Sequence, residues 1–166
     1  MKTRDQTISP DETTAYLQLS FLHGYVVFDL ERGEVRDVVE LPVSEHAQQT
    51  PKSQYVLNSA HHGLAINPAG TELCVAGTMD DYVGMVPIAD PGQAAIHELP
   101  HVGDRPYWAT NGPDGTQCWV SVAGDDRVNV YDYATRSQVG SVQVGDHPQR
   151  VRVGHISEAA LAGWGG

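Results

Sequence analysis

Apolar side chains recur at every second position in short runs, and turn-forming residues break those runs at near-regular intervals. Three runs stand out: Ala15-Tyr16-Leu17-Gln18-Leu19, Leu73-Cys74-Val75-Ala76-Gly77 and Cys118-Trp119-Val120-Ser121-Val122. Each has the length and the period of a β-strand. A proline turn ending in threonine precedes each one (Ile8 to Thr13, Ile66 to Thr71, Asn111 to Thr116), and a polar or glycine turn follows (Leu22-His23-Gly24, Met79-Asp80-Asp81, Gly124-Asp125-Asp126). A third run (Tyr25 to Asp29, Tyr82 to Val86, Arg127 to Asp132) and a fourth (Val35 to Leu41, Ala94 to Leu99, Gln138 to Val144) complete each unit. A helical repeat of similar length does not fit, because the apolar spacing is two and Pro-Asp-Gly turns interrupt it.

Pro68 and Pro113 stand 45 residues apart, whereas Pro10 and Pro68 stand 58 apart because the connector Val43 to Ala60 intervenes. Four short strands at a period of about 45 residues predict an all-β partial β-propeller. Its three four-stranded antiparallel blades cover residues 4–42, 61–102 and 105–145 of a single domain, 1–157. Val144-Gly145-Asp146-His147-Pro148 repeats Val102-Gly103-Asp104-Arg105-Pro106 and predicts one extra inner strand at 148–154. In a closed ring that strand would complete the first blade. Within the insertion 43–60, Ser44 is a suitable N-cap for a helix that Pro51 must keep short. The Ala- and Gly-rich segment 158–166 predicts a flexible tail. A ring needs at least about four blades, so the chain reads as the C-terminal portion of a longer propeller. Apolar faces left open at each end of such a wedge predict self-association.

Asp104-Arg105-Pro106, Pro113-Asp114-Gly115, Cys118-Trp119-Val120-Ser121, Asp125-Asp126-Arg127-Val128-Asn129-Val130 and Val144-Gly145 together resemble the YVTN-repeat β-propellers, as does His61-His62-Gly63-Leu64-Ala65-Ile66. That family is related to the lactonase-like and haem-binding nitrite-reductase propellers. The resemblance covers nearly the whole chain and rests on turn and core positions. It therefore implies the fold, and a bacterial, secreted or periplasmic protein, more than it implies an activity. The middle unit departs from the pattern, with Pro87 where the others carry Asp29 and Asp132, so the turn that follows should lack its aspartate cap.

Lys and Arg number 10 against 21 Asp and Glu, a formal charge of −11. Nucleic acid and anionic membranes are poor partners for such a surface. No apolar run has the length of a membrane span, and Met1 to Gln6 lacks the apolar stretch of a secretory signal. Cys74 and Cys118 have no CxxC or His-rich surroundings and read as buried free thiols. They fall on second strands of adjacent units, one register position apart, so a disulfide between them is the open alternative. Motifs of serine hydrolases, zinc peptidases, c-type haem attachment, dinucleotide folds and P-loops are absent from the sequence.

In a propeller the links between blades and the loops between second and third strands emerge on one face, here called the top, where binding groups gather. Eight ligand-binding candidates follow: His61, His62, Arg105, Tyr107, His147 and Arg150 at the starts of inner strands, with Asp80 and Asp125 on the loops. His23, Asp81 and Asp126 share those loops, and His46 and Tyr55 of the connector should lie over the same mouth. Arg105 and Arg150 can clamp a carboxylate or phosphate; the structural alternative pairs them with Asp80 or Asp125 and staples blades. Recurrence of the Asp pairs at one repeat position favours turn capping over acid–base chemistry. His61 and His62 offer imidazoles to a metal or haem iron, yet alternation along a strand lets at most one face the channel. Trp108 and Trp119 read as inter-blade core.

These readings favour a non-catalytic binding or scaffold module, without cofactor, presenting a top-face pocket to a small-molecule or protein ligand. The alternative is a fragment of a lactonase-like hydrolase or a haem- or quinone-type oxidoreductase with a His- and Arg-lined centre carrying metal or haem.

Overall fold

A computed structural model of the chain describes residues 2–101 and 103–163; Val102, at the expected edge of the second unit, and 164–166 of the expected tail lie outside them. Among the described residues, twelve strands form three antiparallel sheets, each hydrogen-bonded in chain order, which makes the architecture a partial β-propeller. Blade 1 contains β1 (Thr3–Ile8), β2 (Thr14–Leu19), β3 (Gly24–Asp29) and β4 (Glu34–Glu40). Blade 2 contains β5 (Gly63–Ile66), β6 (Glu72–Gly77), β7 (Tyr82–Pro87) and β8 (Ala95–Glu98). Blade 3 contains β9 (Pro106–Asn111), β10 (Gln117–Val122), β11 (Arg127–Asp132) and β12 (Ser137–Gln143).

Turn chemistry explains where the strands end. Asp29 accepts the backbone N–H groups of Glu31 and Arg32, and Asp132 accepts that of Thr135, each closing a tight hairpin. Pro87 offers no such acceptor, and blade 2 reaches its last strand through a single helical turn, Pro91–Gln93.

Alternation then builds two apolar layers. Tyr16, Tyr25 and Val27 of blade 1 meet Leu64, Leu73, Val75 and Val86 of blade 2. On its other side blade 2 turns Ala65, Cys74, Val83 and Met85 toward Ala109, Cys118, Val120 and Tyr131 of blade 3. Every residue of β5, β6 and β7 is buried, because blade 2 is covered on both faces. Burying each large apolar side chain stabilises by about 1.5–3 kcal/mol. Inner strands β1, β5 and β9 lie side by side. Their approach is close at Gly63, where a Cβ would stand 2.6 Å from the Ala109 nitrogen.

Two sequence expectations need correcting. Cys74 and Cys118 are not free thiols: they form a disulfide across the blade 2–blade 3 interface, with Cα atoms 6.4 Å apart. Both cysteines project into the same interfacial layer, because opposite strand parity places them face to face. Residues 148–154 do not form a strand. Among the described residues no strand pairs with this segment, and blade 1 already has its own inner strand, so the backbone there lies along blade 3 without regular pairing. The tail begins with a short helix, α2 (Glu158–Ala162), capped by the Ser157 side chain.

Candidate functional site

The connector between blades 1 and 2 crosses the top face. Its helix α1 (Glu45–Gln49) is capped by Ser44 Oγ, which accepts the Ala47 N–H, and it ends before Pro51. Ala47, Tyr55, Ala60 and Met79 pack together and fasten the connector to blade 2.

Beneath it lies a closed hydrogen-bonded cluster. Asp80 Oδ2 accepts from His23 Nδ1 at 2.7 Å and from His61 Nε2 at 2.8 Å, while Oδ1 accepts the Ser44 N–H at 2.8 Å. The Tyr82 hydroxyl donates to the Pro42 carbonyl at 3.0 Å and lies 3.3 Å from His61 Nε2; the Tyr55 hydroxyl donates to the Ala47 carbonyl and lies 3.2 Å from His23 Nε2. Burial alone would raise the Asp80 pKa, but hydrogen bonds from the two imidazoles and from Ser44 outweigh it and hold the carboxyl far below the usual range. Burial also pushes His61 below the ordinary histidine value. A carboxylate beside a neutral His61 imidazole results. Among the described residues, His23, His61 and Asp80 form the triple of ligating atoms, all within 4.8 Å of one another, that could hold a metal ion. In the observed arrangement both near imidazole nitrogens are engaged by the carboxylate, and the side chains of Asp80 and His61 are wholly inaccessible. The cluster acts as a clamp joining blade 1, the connector and blade 2.

The aspartates on the remaining loops cap the links. Asp81 accepts the Gly103 and Arg105 N–H groups, and Asp126 accepts that of His147. Arg105 and His147 each precede a proline and share a φ of 51°, so residues 146–148 enter as β9 does, although no strand follows. Neither Arg105 nor Arg150 pairs with Asp80 or Asp125; Asp125 instead meets Arg127 at 2.9 Å on the exposed rim. The guanidinium stapling expected from sequence is replaced by backbone N–H groups, which sit at fixed positions and carry no side-chain entropy cost.

His61 and His62 part company as strand alternation requires, so they cannot share one metal or haem. His62 stacks on Tyr107 with ring centroids 4.1 Å apart. Beside it, Trp108 is not simply inter-blade core, since it faces away from blade 2. The guanidinium groups of Arg150 and Arg152 lie 4.4 and 4.8 Å from its ring centroid. Trp119 shares that outward face and donates its indole N–H to Gln117. Arg4 completes the group on the blade 1 side, where its guanidinium donates to Ser20 Oγ and to the Asn58 carbonyl. Lys2 and Arg4 line a cavity of about 300 Å³ with Phe21, over which Lys52 sits. Burial, then the charges of Arg4 and Arg150, push His62 below its ordinary pKa.

Of the eight candidates, the structure thus brings His62, Tyr107 and Arg150 to one place. It puts His61 and Asp80 in the buried clamp. Arg105 lines a separate cavity of about 160 Å³ with His46 and Asp81, and His147 and Asp125 stand at the rim. Sequence reading does not group Arg4, Arg152 and Trp108 with His62, Tyr107 and Arg150. Arg152 was legible through its place two residues after Arg150, whereas Arg4 gave no local signal.

No family model matches the chain, and no curated protein matches it. Solved structures do. Hydrazine synthase of Kuenenia stuttgartiensis superposes with a TM-score of 0.68 at 23% identity, over 87% of this chain and 36% of that one. A streptogramin B lyase (TM-score 0.63, 14% identity) matches over 87% of this chain and 42% of its own; the RRP9 WD40 repeats (0.65, 15%) match over 87% and 39%. These likenesses establish the propeller fold, and this chain spans about two-fifths of the length of each of those proteins.

Proposed function

We propose that this chain is a non-catalytic binding module whose axial mouth on the top face takes a small anion bearing carboxylate or phosphate groups. The fold is shared by enzymes, such as the hydrazine synthase and the lyase, and by the RRP9 WD40 repeats, so the fold does not decide between the two classes. The carrying observation is a charge inversion. In a chain of net charge −11, Arg4 and Arg150 act on His62 and Arg152 joins Arg150 on Trp108, with Asp5 the carboxylate that faces the last two; Lys2 lines the cavity beside Arg4, and Lys52 stands over Phe21 there.

Guanidinium groups present planar pairs of donors that match carboxylate and phosphate oxygens, and here they are pre-oriented by stacking on Trp108 or by hydrogen bonds to Ser20 and Asn58. His62 lies between these groups, and a bound anion would favour its protonated form. Acid–base catalysis gains no support from the clamp, whose imidazoles and carboxylate are engaged with one another away from solvent. The buried disulfide supports an oxidising compartment, in keeping with a secreted or periplasmic protein.

Titration with tripolyphosphate and, separately, citrate, followed by tryptophan emission and calorimetry, tests this reading. Saturable, salt-sensitive binding is expected, and Arg150→Ala and Arg152→Ala, which each remove a charge-assisted hydrogen-bond donor, should each weaken it about tenfold. Binding unaffected by both substitutions would refute the assignment.

A further inference from the structure

Hydrogen-bond accounting in the buried clamp leaves a place that only a cation can fill. The Tyr55 hydroxyl has one proton, which it gives to the Ala47 carbonyl at 3.0 Å, so at its 3.2 Å contact with His23 it can only accept. His23 Nε2 therefore carries a proton and donates it. Across the ring, Nδ1 stands 2.7 Å from Asp80 Oδ2, a carboxylate oxygen with no proton to give. Two electron pairs at that distance need a cation between them, either a second ring proton or a metal ion. Tyr82 repeats the pattern. Its hydroxyl proton goes to the Pro42 carbonyl, which turns its lone pairs toward His61 Nε2, 3.3 Å away and itself 2.8 Å from the same Asp80 oxygen. His61 Nδ1 is buried with no partner, so no hydrogen bond on that side fixes which ring nitrogen carries the proton.

We propose that the clamp is a structural zinc site, with His23 Nδ1, His61 Nε2 and Asp80 Oδ2 as ligands and the Tyr82 hydroxyl oxygen as the fourth. Two imidazoles and one carboxylate suit zinc rather than magnesium or calcium, which take oxygen ligands. Zinc bonds of about 2.0 Å in a tetrahedron set neighbouring ligand atoms about 3.3 Å apart. The contact of Tyr82 with His61 already has that spacing, and the two imidazole contacts of Asp80 Oδ2 need to open by about 0.5 Å. Asp80 Oδ1 keeps the Ser44 N–H throughout. From behind, the Tyr55 hydroxyl orients the His23 ring, as outer-shell partners of ligating histidines do. A cavity of about 360 Å³ leads to Asp80 and Tyr82; Glu45, Asp81 and Glu98 line it and, among the described residues, no lysine or arginine does, so it favours the entry of a cation. Zinc binding would release the His23 Nδ1 proton to solvent and move the His61 proton to Nδ1. Blade 1, the connector and blade 2 are then tied by coordinate bonds, so metal affinity adds directly to folding stability. The site lies away from the mouth and does not rest on the anion reading.

The full chain, free of any histidine tag and stripped with EDTA, is titrated with zinc chloride by calorimetry and with cobalt chloride in an absorbance cell. Zinc should bind with a break at one equivalent and raise the thermal unfolding midpoint, and cobalt should give the visible bands of a four-coordinate site. His23→Gln keeps a side chain that can donate to Asp80, so it should fold, which far-UV circular dichroism checks, and it should lose both the break and the bands. Tyr55→Phe keeps every ligand and should weaken zinc about 10–100-fold through the freed His23 ring. His147→Gln, on the rim, should bind as the wild type does. A wild type without stoichiometric zinc binding would overturn the site. Binding that survives His23→Gln, that is lost with His147→Gln, or that Tyr55→Phe leaves at wild-type affinity would overturn it equally.

Discussion

Replacing Asp80 with Asn changes one atom in shape and removes one charge. The wild-type carboxylate, buried with its side chain fully inaccessible, accepts three hydrogen bonds: from His23, His61 and Ser44. An amide offers only one acceptor oxygen. Turned toward the imidazoles, it leaves the Ser44 N–H facing an NH₂ group; turned toward Ser44, it opposes two imidazole donors. At least one buried donor goes unsatisfied, at about 1–3 kcal/mol, and the remaining bonds lose their charge assistance. The expected destabilisation is about 3 kcal/mol, which for a urea m-value of about 2 kcal/mol/M lowers the unfolding midpoint by about 1.5 M. Urea titration at pH 7.5 and fixed protein concentration, read by tryptophan emission, measures it. The variant should also flatten the pH dependence. Asp80 and His61 are both shifted down in the folded protein, so each contributes stability that is present above its unfolded pKa and lost as pH falls through the folded value. A midpoint within about 0.3 M of wild type would refute the clamp, since three hydrogen bonds worth about 1 kcal/mol each cannot vanish without trace.

Other expectations follow the same logic. Reducing Cys74–Cys118, or substituting Cys118→Ser, opens a loop spanning 44 residues in sequence and should cost about 4 kcal/mol on the chain-entropy account; scanning calorimetry with and without reductant reads it. Gly63→Ala should cost about 1–3 kcal/mol, because the added carbon meets the β9 backbone and backbone cannot rotate aside; the same urea titration applies. Anion binding should tighten as pH falls from 8 to 5.5. Burial and the nearby arginines hold free His62 low, a bound anion raises it, and complex formation takes up a proton. Calorimetry in buffers of different ionisation enthalpy counts that proton, and His62→Gln should abolish the uptake.

The blades were legible because their signals are local. A period of two, aspartate and proline turns, and threonine at a fixed offset after each proline all act within a few residues, and the blade strands form where these signals place them, whereas the strand expected at 148–154 from a repeated loop motif does not. Pro87 even marked the one hairpin that needed a different turn. The site was less legible, because its geometry depends on distances that no local signal carries. His61 and His62 were adjacent in sequence and therefore grouped, yet strand alternation sends one into the clamp and the other to the mouth. His23, 57 residues from Asp80 in sequence, was placed on the right face but not assigned its partner. Arg4 reaches the mouth only because the ring geometry brings the first strand beside the inter-blade connector. The cysteine pairing sat between these cases: strand parity allowed a disulfide, and free thiols were favoured only because no local motif spoke for a bond.

The central claim is that the axial mouth of an acidic propeller is a basic anion site. Crystals grown with selenate, measured at the selenium edge, test it most directly. An anomalous peak within hydrogen-bond reach of Arg4, His62 or Arg150 is the expected result. Selenate bound only elsewhere, with the mouth empty at saturating concentration, would contradict it.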